Sequence, residues 1–288
     1  GVGADHSSIA LVIGHRGRFP ATLFHILRVP SLTSDPGNKV LFLDSKEIQH
    51  IDGLALKVNT ARKFSGNPVI TAGGPGEFDS QGASKVKVLK QHGVYRAWYS
   101  GMHREPGSEW PKSGSIPSIR MGYAESSDGI NWRKPTLEQI EFAGSTHNNI
   151  VWVESGINFA PFKDANPAAT PAEQYKAIIR DQSAILALAS PDGIRWHLMR
   201  SQPILTEGPF DSLNRPFWDS WRGEYVAYCR GVAGVGSGDF FDGVRWIRRA
   251  TSDDFLHWSP LEDIDCGDTP WEHFYTNSCI QYDRAPGT

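Results

Sequence analysis

The sequence predicts an all-β protein, a β-propeller built from four-stranded blades. The first observation is a pattern, Ser-x-Asp-Gly-x-x-Trp, that occupies residues 126–132 and returns at residues 190–196. A degraded copy occupies residues 251–258, and the closing tryptophans lie 64 and then 62 residues apart. A short strand-like run precedes each copy. A strand and a tight turn repeated at a fixed period indicate a repeat architecture.

Composition is the second observation. The 288 residues include 10 Trp, 29 Gly and 19 Pro, which suit many short strands joined by turns better than long helices. A hydrophobic content of 39% and a charged content of 21% are ordinary for a globular protein. The net charge of −3, with both signs interspersed, provides no basic surface for nucleic acid or an anionic membrane. We therefore expect neither partner.

The cysteines and the apolar runs say little about the cellular location of the protein. The three cysteines have no metal-ligand spacing and allow at most one disulfide, so buried free thiols are the favoured interpretation. No run approaches the ~18 apolar residues of a membrane helix. Residues 9–13 are apolar but too short for a convincing signal peptide, which leaves the cellular location open.

The chain divides into a short N-terminal part and a long repetitive part. Residues 1–38 differ in character from the rest of the chain and predict an N-terminal appendage. The propeller domain is predicted over residues 39–288 and opens with a strand at residues 39–44. Residues 54–59 alternate apolar and polar side chains as a half-buried strand does.

Three successive units come next along the chain, and we expect each to be closed by one copy of the repeated turn. Each unit holds about four strands in roughly 50–65 residues, the size of a propeller blade. Residues 148–153 are predicted to open the second unit, and residues 271–277 a fourth. The other predicted strands are residues 85–89, 94–100, 121–124, 159–162, 175–180, 185–189, 217–219, 225–229 and 246–250.

The number of units raises the question of how the ring closes. Propellers usually have four to eight blades, and three units with part of a fourth do not complete one. Either residues 39–66 supply part of a closing blade, or the domain extends beyond this chain. An open sheet edge would leave backbone groups unpaired and would favour an oligomer.

The repeated turn itself is predicted to be structural. Asp and Ser cap such a turn, Gly accepts the positive φ, and Trp packs between sheets. We therefore expect a structural role for Asp128, Asp192 and Asp253.

Several segments together resemble a known family. These are Asn-Pro-Val-Ile at 67–70, Tyr-Arg-Ala-Trp-Tyr-Ser at 95–100, Gly-Tyr-Ala-Glu-Ser-Ser-Asp-Gly-Ile-Asn-Trp at 122–132, Phe-Asp-Ser-x-Asn at 210–214 and Glu-His-x-Tyr-Thr-Asn at 272–277. They are similar to the five-bladed β-propeller glycoside hydrolases related to families 32, 43, 68 and 117, including their poorly characterised bacterial relatives. The resemblance covers residues 39–288. The Trp-Met-Asn-Asp-Pro-Asn-Gly and Arg-Asp-Pro signatures of invertases are absent, which argues against a conventional fructosidase.

The resemblance implies where the chemistry lies and how long the domain is. In such propellers the first strand of each blade lines a central funnel, and acids at its start face the pocket. At the family's usual length, this chain would end before the last blades. Hydrolysis of a glycosidic bond requires one carboxyl group to protonate the leaving oxygen and another to attack or to activate water. A general acid needs a raised pKa, which a funnel walled by aromatic side chains supplies by desolvation.

Acids next to aromatic residues recur where the units begin, and they rank as the candidate catalytic groups. Glu272 is the candidate general acid, with a rim carboxylate as the alternative, and Asp211 is the candidate base or nucleophile, with an Asx-turn as the alternative. Asp164 would orient substrate unless it only forms a turn, and Glu77 is the spare carboxylate of the first unit. The candidate substrate-binding residues are Trp271, His273, Tyr275, Asn277, Asn214, Trp218 and Arg180; core packing is the alternative for the aromatic residues.

Three functions remain in competition at this point. The first is a glycoside hydrolase acting on the end of a glycan; the others are a non-catalytic carbohydrate-binding propeller and a structural interaction module. We expect no cofactor and no metal in the reaction, although a structural calcium would suit carboxylate ligands. Serine-hydrolase chemistry is disfavoured because the chain has no Gly-x-Ser-x-Gly elbow. The sugar, the linkage and the stereochemical outcome do not follow from the sequence.

Overall fold

The structure is a computed structural model that describes residues 60–103, 119–153, 157–233, 243–270 and 272–282. Residues Lys63–Gln281 form one compact unit, which contains all the sheets and sites described below. The predicted appendage at residues 1–38, the strands predicted at 39–44 and 54–59, and Trp271 lie outside the described residues.

The prediction of an all-β protein is confirmed. The described residues form three four-stranded sheets and one short 3-10 helix, Pro171–Glu173. The first sheet contains β1 (Ala83–Gln91), β2 (Val94–Met102), β3 (Ile119–Ser126) and β4 (Ile150–Trp152). The second contains β5 (Ile157–Lys163), β6 (Tyr175–Asp181), β7 (Ala184–Ser190) and β8 (His197–Leu198). The third contains β9 (Arg215–Asp219), β10 (Glu224–Ala233), β11 (Val244–Ser252) and β12 (Glu262–Asp263).

Each sheet is an antiparallel meander in chain order. The first strands of neighbouring sheets contact one another, β1 with β5 and β5 with β9. The starts of the three sheets therefore lie side by side. No helix in the part of the chain that the structure describes is long and apolar enough to cross a membrane.

Aromatic and branched side chains fill the spaces between the sheets. Tyr123 of the first sheet and Phe159 and Ile179 of the second share one buried cluster. A second cluster joins the second and third sheets and contains Ile178 and Tyr225. Because side chains alternate between the two faces of a strand, the adjacent residues Ile178 and Ile179 pack toward different neighbouring sheets.

The prediction that the repeated turn closes each unit was wrong. In all three sheets the turn connects the third strand to the fourth, because β4, β8 and β12 follow the turn in the chain. Residues 148–153, predicted to open the second unit, instead supply β4 of the first sheet. The fourth strands are only two or three residues long, too short for alternation of side chains to reveal them.

The turn is structural, but its third copy is shifted by one residue from the prediction. Asp254, and not Asp253, makes the hydrogen bonds that Asp128 and Asp192 make in the other copies. Its Oδ1 accepts bonds from the backbone N–H groups of Leu256 and His257, both at 2.8 Å. Phe255 then occupies the glycine position and adopts a φ of 70°. The degraded copy thus keeps the turn geometry with a strained non-glycine residue.

The second copy of the turn also fastens the first two sheets together. Trp98 Nε1 donates a 2.7 Å hydrogen bond to the Gly193 carbonyl oxygen, and Arg96 donates one of 2.8 Å to the Asp192 carbonyl oxygen. A Cβ at Gly193 would lie 2.9 Å from the Trp98 ring, and φ is +78° there. Both the space and the backbone conformation therefore require glycine.

Candidate functional site

A chain of hydrogen bonds joins all three sheets where their first strands begin. Lys85 Nζ of β1 donates a 2.5 Å bond to Asn158 Oδ1 of β5. Asn158 Nδ2 in turn donates a 3.3 Å bond to the carbonyl oxygen of Phe210, in the segment that leads into β9. Lys85 and Asn158 are 73 residues apart in sequence, so this contact depends on the arrangement of the sheets.

The backbone is strained at each of these points. Lys85, Asn158 and Phe210 have φ values of 50°, 64° and 45°, which non-glycine residues rarely adopt. The pairing of β1 is irregular between Ser84 and Lys87, and that of β5 is irregular between residues 157 and 160. Bulges in a strand redirect side chains, and strained residues concentrate at functional sites. This end of the sheets is therefore the leading candidate for a binding or active site.

Asp211 follows Phe210 and forms an ion pair with Arg230 of β10. The distance from Arg230 Nε to Asp211 Oδ1 is 3.3 Å. The arginine side chain is 2% exposed and the aspartate side chain 24% exposed, so the carboxylate faces outward from a buried cation. Neither atom forms a hydrogen bond with any described residue. Oδ1 is therefore held against the guanidinium by charge, and the exposed part of the carboxylate is the part accessible to a ligand.

Arg230 also connects Asp211 to an exposed aromatic ring. Its NH1 donates a 3.2 Å hydrogen bond to the Tyr275 carbonyl oxygen, and its guanidinium lies 4.9 Å from the centre of the Tyr275 ring. Tyr275 is 52% exposed. An exposed ring beside a carboxylate is the pairing that stacks on, and hydrogen-bonds to, a sugar. We name Lys85, Asn158, Asp211, Arg230 and Tyr275 the strand-start cluster.

Two asparagines hold this cluster in place. Asn214 Oδ1 accepts a 3.0 Å bond from the Arg230 N–H, and its Nδ2 donates to the carbonyl oxygens of Phe210 and Ser212. Asn277 Nδ2 donates 3.2 Å bonds to the carbonyl oxygens of residues 213 and 228. Both asparagines are buried, at 0% and 6% exposure. Predicted as substrate-binding, they are engaged with backbone and position their neighbours.

Three further cations lie around the cluster. Arg180 is opposite residue 157 in the pairing of β6 with β5, and Arg215 is the first residue of β9. Lys87 lies two residues beyond Lys85 on β1 and is 8% exposed. No described residue forms a hydrogen bond or ion pair with the Lys87 ammonium, and the Nε atoms of Arg180 and Arg215 lack hydrogen-bond partners among the described residues.

The electrostatics of the two lysines follow from this concentration of positive charge. Desolvation, followed by repulsion from Arg215 and from Lys85, lowers the pKa of Lys87 to about 8. For Lys85, desolvation and then the charge of Arg180 lower the pKa, and the charge of Asp211 opposes them. These effects place the cations in one electrostatic neighbourhood with Asp211 as its carboxylate.

Asp164 lies at the opposite end of the second sheet, just beyond the end of β5. Its Oδ2 accepts a 2.5 Å bond from Lys176 Nζ and a 2.7 Å bond from the Tyr225 hydroxyl. Burial lowers the pKa of Lys176, but the bonds to Asp164 and Tyr225 outweigh it and the pKa is raised. The network links the second sheet to the third and leaves the carboxylate 0% exposed. Trp218, at 4.8 Å from the Tyr225 ring, packs in the same region.

Glu77 lies in the segment that precedes β1. It lines a cleft of about 320 Å³ together with Trp132, Lys134 and residues 69–74. Nearby Asp79 is buried and accepts hydrogen bonds from the Tyr99 hydroxyl at 2.8 Å and from Lys134 at 2.6 Å. No hydrogen bond or ion pair of the described residues connects this cleft to the strand-start cluster.

Glu272 and His273 precede Tyr275 on the same exposed segment. Glu272 is exposed, and its backbone N–H donates a 2.7 Å bond to the Pro270 carbonyl oxygen. His273 Nδ1 accepts a 3.1 Å bond from the Arg245 N–H. The structure thus brings together Asp211, Asn214, Tyr275 and Asn277 of the predicted residues, with Glu272 and His273 on the adjoining segment. It places Asp164, Trp218 and Glu77 elsewhere.

Sequence reasoning did not select Lys85, Lys87, Asn158, Arg215 or Arg230. Lysines alternating with valines at residues 85–88 are typical of a strand with one solvated face. The lysines of this strand become part of a candidate site only because β1 contacts β5, and β5 contacts β9, in the folded protein. Among the described residues, no group of three His, Cys, Asp or Glu side chains is arranged to hold a metal ion.

Comparisons with known proteins give structural neighbours but no family. No family model and no curated protein matches the sequence. The chain is similar to a glycosyl hydrolase from Bacteroides ovatus, with 17% identity and a TM-score of 0.44 over 68% of this chain and 56% of that one. It is also similar to a family 43 arabinoxylan arabinofuranohydrolase from Bacillus subtilis (17% identity, TM-score 0.43, 70% of this chain and 43% of that one). A third similar structure is a fructofuranosidase from Schwanniomyces occidentalis, with 13% identity and a TM-score of 0.41 over 64% of this chain and 34% of that one. The chain therefore spans between about a third and just over half of the length of these structures, which are glycoside hydrolases.

Proposed function

We propose that this chain is part of a propeller glycoside hydrolase and that its substrate binds at the strand-start cluster. The observation that carries the proposal is the hydrogen-bonded chain from Lys85 through Asn158 to Phe210, which ties the first strands of two sheets to the segment that leads into the third. In a propeller the first strands of the blades surround the central axis. Strained backbone at each strand start supports a functional site there.

Asp211 is the proposed base or nucleophile. Its contact with Arg230 places it in the cluster, and its side chain is 24% exposed, so a substrate can reach the carboxylate. Its ion pair with Arg230 fixes the orientation of the carboxyl group. In the retaining mechanism such a carboxylate attacks the anomeric carbon, and in the inverting mechanism it activates water.

Glu272 is the proposed general acid. It lies three residues before Tyr275, whose backbone and ring both contact Arg230, the partner of Asp211. An exposed position leaves Glu272 accessible to a leaving group. Tyr275 is the proposed stacking platform for the sugar.

Hydrolysis by matched variants tests these roles. The full chain is assayed on a panel of aryl glycosides and oligosaccharides, together with Asp211→Asn and Glu272→Gln. Asp253→Asn and Glu262→Gln are the matched controls, because both residues are exposed and lie outside the cluster. We expect the first two variants to lose at least about a thousandfold in kcat/KM, the scale on which general acid–base groups act, and the controls to retain wild-type rates. Wild-type rates for Asp211→Asn on a true substrate would refute the assignment.

Non-catalytic carbohydrate binding is a second candidate, favoured by one observation. The contacts within the cluster include a single carboxylate, whereas both glycosidase mechanisms use two, about 5–5.5 Å or 6.5–9.5 Å apart. A binding module would show saturable binding of an oligosaccharide, weakened by Tyr275→Ala, without release of product. Product release that depends on Asp211 would exclude this alternative.

A further inference from the structure

We propose that the strand-start cluster recognises an acidic saccharide, one that carries a carboxylate or a sulfate group. This inference deepens the proposed function, since it names the substrate class of the same site. It rests on the excess of cations over carboxylates where β1, β5 and β9 begin, and on how those cations are partnered.

Cations outnumber carboxylates in this region. Lys85 and Arg230 belong to the cluster itself, and Lys87, Arg180 and Arg215 surround it. Against these five cations stand two carboxylates, that of Asp211 and, on the adjoining segment, that of Glu272. A site built for a neutral sugar would leave most of this charge without a counterpart.

The guanidinium groups retain unused donors. Arg180, Arg215 and Arg230 each have an Nε atom that is buried and forms no hydrogen bond with the described residues. Arg230 Nε has the Asp211 carboxylate 3.3 Å away as an ion-pair partner, whereas Arg180 and Arg215 form no ion pair with the described residues. A buried donor without a partner destabilises the folded protein, and a planar guanidinium fits a carboxylate or sulfate through two parallel hydrogen bonds.

A buried lysine elsewhere in the same unit provides an internal comparison. Lys176 is 3% exposed and is fully partnered, by Asp164 at 2.5 Å and by the Tyr225 hydroxyl at 2.9 Å. Lys87 is nearly as buried, at 8%, and has neither kind of partner among the described residues. For Lys176, whose role is structural, the fold supplies the counter-charge. Lys87 lacks one because, we infer, an anionic ligand supplies it.

The arrangement of the cations in and around the strand-start cluster suits a saccharide better than a small inorganic anion. The positive groups extend along β1 from Lys85 to Lys87 and across to Arg230, where the exposed Tyr275 ring lies 4.9 Å from the guanidinium. A ring face next to charged donors suits a ligand with an apolar face and an acidic substituent. The acidic substituent then contacts the cations, and the neighbouring linkage reaches Asp211.

Calorimetric titration of the full chain tests the inference. The probes are a hexuronate oligosaccharide and the same oligosaccharide with its carboxyl groups reduced to alcohols, and in a second arm a sulfated oligosaccharide and its desulfated form. We expect at least one acidic probe to bind at least about tenfold more tightly than its neutral counterpart, as a charge-assisted pair would allow, and the two arms distinguish carboxylate from sulfate. Equal affinity within both pairs would overturn the inference.

Variants then locate the effect. Lys87→Met and Arg215→Met should each weaken the acidic probe about tenfold, the loss expected for one charge-assisted contact, and leave the neutral probe unchanged. Lys163→Met, an exposed lysine at the far end of β5, is the matched control and should change neither affinity. Arg180→Met provides a further variant if Arg215→Met does not fold, which circular dichroism reports. Equal weakening of acidic and neutral probes would also overturn the inference.

Failure of the inference and failure of the proposed function are distinguishable. If neutral substrates are cleaved in an Asp211-dependent manner but acidic probes gain no affinity, the hydrolase proposal stands and the acidic-substrate inference falls. If acidic probes bind through Lys87 and Arg215 but are never cleaved, the inference stands and the hydrolase proposal falls.

Discussion

The Lys85 ammonium and the Asn158 side-chain oxygen lie 2.5 Å apart and tie the first strand of one sheet to the first strand of the next. Both residues have positive φ, so the contact is made by two strained residues. A residue of this kind persists when the surrounding structure fixes it, and its usual location is a functional site. The contact therefore marks the end of the sheets where a ligand is expected.

Asn158 should reveal strain and hydrogen bonding as separate contributions. Asn158→Ala loses both amide hydrogen bonds and keeps a Cβ at φ 64°, whereas Asn158→Gly loses the same bonds without the steric penalty. We expect the glycine variant to be more stable than the alanine variant by about 1 kcal/mol in urea unfolding. Equal stability of the two variants would show that the backbone at residue 158 is unstrained.

Lys87→Met should stabilise the protein. Burial of the lysine side chain and the positive charges of Arg215 and Lys85 disfavour the charged form, and methionine has a similar length without the charge. We expect the free energy of unfolding at pH 7 to rise by about 1–3 kcal/mol, the scale seen when buried charges are replaced by apolar side chains. Lys163→Met, at an exposed position, should change it by less than about 0.5 kcal/mol. A lower stability for Lys87→Met would mean that the lysine has a counter-charge in the native protein.

The destabilisation caused by the buried charge of Lys87 should also depend on pH. The pKa of Lys87 is about 8 in the folded protein, below its ordinary value of 10.5. Between these pH values the unfolded chain binds more protons than the folded one, so the free energy of unfolding rises with pH. Below pH 8 the lysine is charged in both states, and the destabilisation caused by burying its charge is complete. The difference between Lys87→Met and wild type should therefore shrink as pH rises from 8 to about 10.5. A difference independent of pH would contradict this origin.

Binding of an acidic saccharide should change with pH in the opposite direction. The ligand requires the protonated ammonium, whose neighbours are Arg215 and Lys85, so affinity should be flat below pH 8 and fall above it. The arginines stay charged throughout this range. Lys87→Met should bind more weakly and show a smaller decline, the remainder belonging to Lys85, whose pKa is also lowered by desolvation and by the charge of Arg180. Calorimetry from about pH 6.5 to about pH 9.5 measures both curves, and a decline of equal size in the variant would assign it to another group.

The turn offers a test of the corrected alignment. Asp254→Ala removes the acceptor of the Leu256 and His257 N–H groups and should destabilise the protein by about 1 kcal/mol or more. Asp253→Ala should change stability by less than about 0.5 kcal/mol, since Asp253 is exposed and makes none of the turn hydrogen bonds. Urea midpoints for the two variants measure the difference. A larger effect at Asp253 would restore the alignment predicted from the sequence.

Much of the fold was predictable from local patterns, and the site was predictable only in part. The strands predicted at residues 85–89 and 225–229 lie within β1 and β10, because half-buried strands leave a recognisable pattern of apolar residues. The two-residue strands β8 and β12 have no period to detect. Asp211 was selected from the sequence because an acid beside an aromatic residue is a local feature, and its role stays a prediction. Lys87 and Arg230 were not, because their significance comes from neighbours on other sheets.

A crystal structure with a bound oligosaccharide would show directly whether the strand-start cluster is the substrate site. We predict that the sugar lies on the Tyr275 ring with its anomeric carbon about 3–3.5 Å from a carboxylate oxygen of Asp211, the approach needed for reaction by the nucleophile. We also predict that an acidic substituent contacts Lys87 or Arg215. An oligosaccharide bound instead in the cleft of Glu77 and Trp132, with the strand-start cluster free, would contradict both predictions.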